Sequence, residues 1–265
     1  MILDHFIFLC HRKVSMNPTA AIIIIGNEIL SGRTQDININ YIAKSLAISG
    51  IKLKEARVIP DDPKVIINTV NEIKAAVDYV FTTGGIGPTH DDITSDCIAE
   101  AFGVPNQIHP ESFKLLEDYI GKENFNEARQ RMAHLPLGAK PIPNTISVAP
   151  GYVIGNVYVM AGVPQIMQSM LDSIIPTLRH GPPIISKTWY AYHASEGKVA
   201  ADLNEIQNKF PQTDIGSYPF YLNEKQNGVA LVTKGQDQQA VEQAASEVYN
   251  LLVKMGYQPI EGEPH

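Results

Sequence analysis

The sequence predicts an α/β protein whose mostly parallel sheet is sandwiched by helices, followed by a small α+β domain. Three observations predict it. Ala20-Ala21-Ile22-Ile23-Ile24-Ile25 is an unbroken, largely β-branched run ended by Gly26, the pattern of a strand covered on both faces. Short apolar runs then alternate with stretches of helical period as far as Phe102, which is how strand–helix–strand units read. Lastly, His180-Gly181-Pro182-Pro183 breaks any regular element and divides residues 19–180 from 184–265.

The elements follow in order. Residues 1–18 are expected to lie outside the core, with Met16 as the natural start and 1–15 as an upstream extension. After the first strand, Asn38 to Ser49 carries Ile39, Ile42, Ala43, Leu46 and Ala47 at helical spacing, with Asn38 as its cap and Gly50 as its stop. Lys52 to Ile59 is a second strand closed by Pro60. Pro63 to Ala76 is a helix with proline at its first position, where no N–H is needed. Asp78 to Thr82 is a third strand, and Asp92 to Phe102 the next helix. Pro110 to Ala133 reads as helical, then Pro136, Gly138, Pro141, Pro143, Pro150 and Gly151 mark turns. Val157 to Met160 is a strand and Val163 to Leu178 a helix. Beyond the break, Ile185–Tyr192, Glu196–Phe210, Asp214–Tyr221, Val229–Thr233 and Asp237–Met255 make a β-α-β-β-α unit.

Composition narrows the function. With 265 residues, 44% hydrophobic and 18% charged, the chain is an ordinary globular protein. Its net charge of -7 and the lack of any Lys/Arg run disfavour nucleic acid as a partner. No apolar stretch nears the ~20 residues that span a bilayer, so no membrane partner is expected. Cys10 and Cys97 form no metal-ligand or redox spacing, which fits a cytoplasmic setting.

Chemistry concentrates where strands end. Gly84-Gly85-Ile86-Gly87-Pro88-Thr89 stands between a strand and a helix, where backbone N–H groups and a helix N-terminus can meet an anion. It is no Walker A loop, and His90 occupies the third glycine position of a dinucleotide fingerprint. By spacing alone it is either an anion site or a tight turn. Asp91 and Asp92 come next, either as helix-capping residues or as ligands of a divalent cation that lets carboxylate and phosphate share a site. Asp61-Asp62 could add carboxylates at the same sheet end. Glu28 could accept from a ribose hydroxyl or a base, and Thr83, Thr89 and Thr94 could donate to phosphate. Cys97 reads as a buried apolar residue.

Together, Gly26-Asn27-Glu28-Ile29-Leu30-Ser31-Gly32 with Asp36 and Asn38, and Thr82 through Thr94, resemble the molybdopterin-binding (MoaB/Mog-like) domain. The likeness is greatest to the amino-terminal part of CinA proteins (competence/damage-inducible protein A). Arg131-Met132-Ala133, Ala149-Pro150-Gly151 and Gly162-Val163-Pro164 extend it over about Thr19 to Leu178. The second unit resembles the KH-like domain of those proteins, through Ser195-Glu196-Gly197 and Ile215-Gly216-Ser217-Tyr218-Pro219. It has no Gly-x-x-Gly loop, since Gly197-Lys198-Val199-Ala200 ends in alanine, so RNA binding is not expected.

The resemblance implies the molybdopterin-binding fold and, from CinA-type relatives, a metal-dependent (Mg, Mn or Co) pyrophosphatase acting on ADP-ribose or FAD. It matches Asp92 and Asp61 to the family's functional aspartates, as catalytic residues, and Gly84, Gly85, Gly87, Thr89, Thr94 and Glu28 to its binding positions; the reading of the residues themselves adds Asn38 to the binding set and a metal at Asp91 and Asp92. The alternatives are molybdopterin binding or adenylyl transfer, and a non-catalytic nucleotide- or pterin-binding module. Family likeness also implies a homo-oligomer. Three departures stand out: Ala161 replaces a family proline, Ile166 a family carboxylate and Ser147 a common glycine.

Overall fold

The computed structural model describes residues 17–264, so residues 1–16 of the expected extension, Cys10 among them, lie outside the described residues. The chain divides into two units, Met1–Gly181 and Pro182–His265.

The first unit opens with β1 (Thr19–Ile25), a single helical turn α1 (Asn27–Leu30), α2 (Asn38–Ile48) and β2 (Lys52–Ile59). Next come α3 (Pro63–Ala76), β3 (Tyr79–Thr83) and α4 (Thr94–Phe102). An excursion of short elements follows: β4 (Asn106–Ile108), α5 (Pro110–Ile120), α6 (Glu127–Gln130), a 3₁₀ turn at Arg131–Ala133, β5 (His134–Pro136) and β6 (Lys140–Ile142). Finally β7 (Gly151–Ile154), β8 (Val157–Met160) and α7 (Pro164–Ile174) complete the unit.

Six strands form one sheet in the order β2-β1-β3-β8-β7-β6. The pairs β1–β2, β1–β3 and β3–β8 are parallel, whereas β7 runs antiparallel to both its neighbours. This is the mostly parallel sheet that the alternation of elements predicts. The run at 20–25 is unbroken because alternate residues serve two cores. Ile23 and Ile25 pack with Ile66, Val70, Ile73 and Ile98 of α3 and α4. Ile22 and Ile24 pack with Ile42, Leu46, Met167 and Leu171 of α2 and α7. Each such side chain, withdrawn from water, stabilises the fold by roughly 2 kcal/mol.

The structure corrects several boundaries. Asn38 does not cap α2; it lies within the first turn, and the Ile39 amide donates to Asp36 Oδ1 at 2.9 Å. The helix expected from Asp92 starts at Thr94, because the Asp92 carboxylate turns back onto Thr89. The segment 110–133 is not one helix, since Gly121, at φ 84°, ends α5. The turn α1 and the strands β4 to β7 were not expected. They are too short to show a period, and pairing with distant partners defines the strands.

In the second unit, β9 (Ile185–Tyr192), α8 (Glu196–Lys209), β10 (Thr213–Asn223), β11 (Gln226–Gly235), α9 (Gln238–Lys254) and β12 (Ile260–Glu261) form a separate antiparallel sheet, β10-β11-β9-β12. Val199, Leu203 and Ile206 of α8 and Ala244, Val248 and Leu252 of α9 cover Ala191, Val229 and Leu231. No helix among the described residues is long and apolar enough to cross a membrane.

Candidate functional site

Strand order places the site. From β1 the chain crosses to β2 on one side, then returns past β1 to β3 on the other. The chain thus reverses direction between β1 and β3, and in sheets of this kind ligands bind outside the carboxyl ends of the strands at such a point. Glu28 lies in the turn after β1, and Gly84 to Asp92 follow β3.

Here the backbones approach closely. Gly84 has φ 102°, and a Cβ there would overlap the Ile25 carbonyl oxygen. Its amide donates to the Met160 carbonyl at 3.2 Å. Gly162, from the loop after β8, lies so near that a Cβ on it would stand 3.3 Å from Gly84 Cα. Asn38 Nδ2 donates to the Gly162 carbonyl at 2.8 Å, which ties α2 to the same junction. Asn38 is buried, and its Oδ1 has no hydrogen-bond partner among the described residues.

The Gly-rich loop is shaped from within. Gly85 has φ 68° and faces the Thr94 hydroxyl so closely that no Cβ fits. Thr94 is fully buried, its hydroxyl donating to the Gly84 carbonyl at 3.0 Å and its amide to the Gly85 carbonyl at 3.0 Å. Thr94 thus braces the loop with the hydroxyl expected to donate to a phosphate. Thr94→Val, which keeps the shape, is expected to lower stability by about 1–2 kcal/mol; urea unfolding of the two proteins measures it.

Asp92 closes the turn after the loop. Its Oδ2 accepts from the Thr89 amide at 2.8 Å and the Thr89 hydroxyl at 2.6 Å. A Cβ on Gly87 would come within 2.7 Å of that oxygen, so Gly87 lets the carboxylate lie against the loop. Asp92 Oδ1 makes no hydrogen bond among the described residues. Asp91 is exposed, with its carboxylate 3.9 Å from His90 Nδ1. Asp61 Oδ2 accepts from the Asn27 amide at 2.8 Å, anchoring α1, while Asp62 caps α3 through the Val65 amide. Glu28 is exposed, its carboxylate folded over Gly26. Cys97 is buried, and burial pushes its thiol up to about 11, which removes it as a nucleophile.

The residues singled out in the sequence thus converge from four loops on one sheet end. Gly84, Gly85, Gly87, Thr89, Asp91 and Asp92 lie in one loop that ends at Thr94, Asn38 is joined to it through Gly162, and Glu28 lies in α1, which Asp61 anchors. No hydrogen bond links Asp61 to Asp92. Among the described residues no group of three or more His, Cys, Asp or Glu could hold a metal ion. The set therefore offers no all-protein metal cage. What it does offer is carboxylate oxygen, the donor that suits Mg²⁺ or Mn²⁺ shared with ligand phosphates.

A role for Arg131 was not legible in the sequence. It stands 39 residues beyond Asp92, and only its place in Arg131-Met132-Ala133 marked it. Its Nη1 donates to the Thr89 carbonyl at 3.3 Å and its Nη2 to the Asp92 carbonyl at 3.4 Å. With Gly87, Asp92, Ser95, Asp96 and His134 it lines a small polar recess of about 30 Å³.

Known proteins share this architecture. Residues 21–180 match the family model described as "Probable molybdopterin binding domain", and residues 183–260 match that of the FAD synthase middle domain. A protein of Archaeoglobus fulgidus is 33% identical over 231 residues, which is 87% of this chain and 96% of that protein. A protein of Pyrococcus horikoshii is 32% identical over 206 residues, 72% of this chain and 80% of its own. Among solved structures, the protein CinA of Thermoplasma acidophilum superposes with a TM-score of 0.58 at 30% identity, over 62% of this chain and 99% of that one.

Proposed function

We propose, from the premise that this chain belongs to the molybdopterin-binding-domain family and is CinA-like, that it is a metal-dependent pyrophosphatase of nucleoside diphosphate compounds such as ADP-ribose or FAD. The observation that carries the reading is Asp92. Its Oδ2 is fixed by Thr89 and its Oδ1 has no partner among the described residues, at the end of a tightly folded glycine loop. The match of residues 183–260 to the FAD synthase middle domain supports a nucleotide as the ligand.

Each residue then has a task. Gly84, Gly85 and Gly87 let the loop fold tightly onto Ile25, Thr94 and Asp92, and backbone N–H groups of the loop thus shaped would meet a diphosphate. Asp92, with Asp91 beside it, would hold a divalent ion, which polarises a phosphoryl group and lowers the pKa of a bound water. Asp61, with Oδ2 spent on Asn27, has Oδ1 to orient that water. The water oxygen bonds to one phosphorus, the P–O bond to the bridging oxygen breaks, and the water protons pass to the products and solvent. ADP-ribose gives AMP and ribose phosphate. Glu28 and Asn38 are assigned to ligand binding, with the partnerless Asn38 Oδ1 as an acceptor.

The test is incubation with ADP-ribose and FAD in the presence of Mg²⁺, Mn²⁺ or Co²⁺ in turn, with chromatography for AMP. Metal-dependent AMP is the expected result. A folded protein that makes none from either substrate loses this assignment. The family match itself favours a second reading, a molybdopterin ligand at the same loop. Mass spectrometry of the natively purified protein would then find a bound pterin, and finding adenine nucleotides alone would count against it.

A further inference from the structure

We propose that Arg131 is the phosphate-binding side chain of this site, gripping the diphosphate of a metal-complexed ligand from the recess beside the Gly-rich loop. This rests on the ligand class of the pyrophosphatase reading and not on turnover.

The guanidinium is held by main chain, not by charge. Its bonds to the Thr89 and Asp92 carbonyls use two of its five N–H groups. It forms no ion pair among the described residues, although the carboxylates of Asp92 and Asp96 line the same recess. A surface arginine beside two carboxylates ordinarily folds onto one of them. Here Asp96 Oδ1 instead accepts from Asn106 at 2.7 Å and Asp92 Oδ2 from Thr89. Arg131 therefore keeps its full charge and three unspent donors, oriented by the turn that carries Asp92.

The charge pattern selects the ligand. One guanidinium against two carboxylates leaves the recess with a net negative charge, so a bare anion is not favoured there. A phosphate that brings its own cation is different. Asp92 would hold the cation, and the guanidinium would meet the phosphate, with a planar fork that matches two of its oxygens. The Asp92 carboxylate and the Arg131 guanidinium are thus both fixed to the turn from Thr89 to Asp92.

The alternative is that Arg131 braces this turn and nothing more. Arg131→Gln keeps donors for the carbonyls and removes the charge, whereas Arg131→Lys keeps the charge and removes the fork. Titration calorimetry of each folded variant with ADP-ribose and with pyrophosphate, both with Mn²⁺, is compared with Mn²⁺ alone. Arg131→Gln is expected to bind both diphosphates about tenfold or more weakly, Arg131→Lys to fall between it and the wild type, and affinity for Mn²⁺ alone to stay unchanged. Wild-type affinity in Arg131→Gln overturns the proposal. So does a matched loss of Mn²⁺ and diphosphate binding, which a brace alone produces, or a wild type that binds neither diphosphate. Arginine-dependent binding without AMP would remove the pyrophosphatase reading and leave the role of Arg131 standing.

Discussion

Asp92→Asn is expected to fold normally and to lose metal-dependent AMP formation by on the order of a hundredfold or more, the scale set by removing one preorganised electrostatic group from a reaction site. Asparagine is the informative choice because its side-chain oxygen can still accept from the Thr89 amide and hydroxyl, the bonds that close the turn at 2.8 and 2.6 Å. What is lost is the charge proposed to hold the divalent ion. The variant should therefore show an unchanged unfolding midpoint and circular dichroism, and Mn²⁺ affinity lowered in parallel with turnover. If Asp92→Asn hydrolyses ADP-ribose at the wild-type rate, the assignment of Asp92 fails, whatever the substrate range of the protein.

Gly84→Ala should have the largest effect on the fold. The position is strained for any side chain at φ 102°, and its Cβ would overlap the Ile25 carbonyl oxygen. Relief requires β1 and β3 to separate at their carboxyl ends, where Gly162 also packs against Gly84. Backbone strain of about 1–3 kcal/mol and overpacking of about 1–3 kcal/mol sum to roughly 4 kcal/mol. For a unit of this size that lowers the midpoint of thermal unfolding by roughly 10 °C. Calorimetry checks it. A loss under about 1 kcal/mol would mean that the loop adapts freely and that its glycines are not needed for close packing.

The two variants separate the loop's tasks. Asp92→Asn tests chemistry on an intact scaffold, and Gly84→Ala tests the scaffold beneath it. Thr94 belongs with Gly84, since its hydroxyl is spent inside the loop. Ile166, where the resemblance leads one to expect a carboxylate, is partly buried against Met167, Met170 and Leu171 of the α2–α7 core. Its side chain therefore serves packing, and any metal ligation falls to the carboxylates of the Gly-rich loop.

Much of this was legible in the chain itself. The run Ala20 to Ile25, the helix Pro63 to Ala76 and the strand Val157 to Met160 carry their own period or punctuation, and the structure shows them at or within a residue of the expected bounds. The mostly parallel sheet followed from their alternation, and the family likeness from the loop motifs. Glycine identity at 84, 85 and 87 was visible too, because a residue without Cβ is a local fact.

Tertiary structure decided the rest. Whether Asn38 caps a helix or reaches Gly162, 124 residues away, depends on α2 and the loop after β8 meeting at one sheet end. Asp92 was expected to start a helix and instead closes a turn, since a carboxylate can satisfy either set of amides and its surroundings choose. The strands β4 to β7 exist by pairing, which no local pattern records. Arg131 gained its place only when the excursion from Asn106 to Ile142 folded back beside the Gly-rich loop. The sequence by itself determined the fold class and the glycine pattern of the loop, because periodicity and glycine conformational freedom act over a few residues. Which polar groups face each other was set by strand order and burial, which act between residues far apart in the chain.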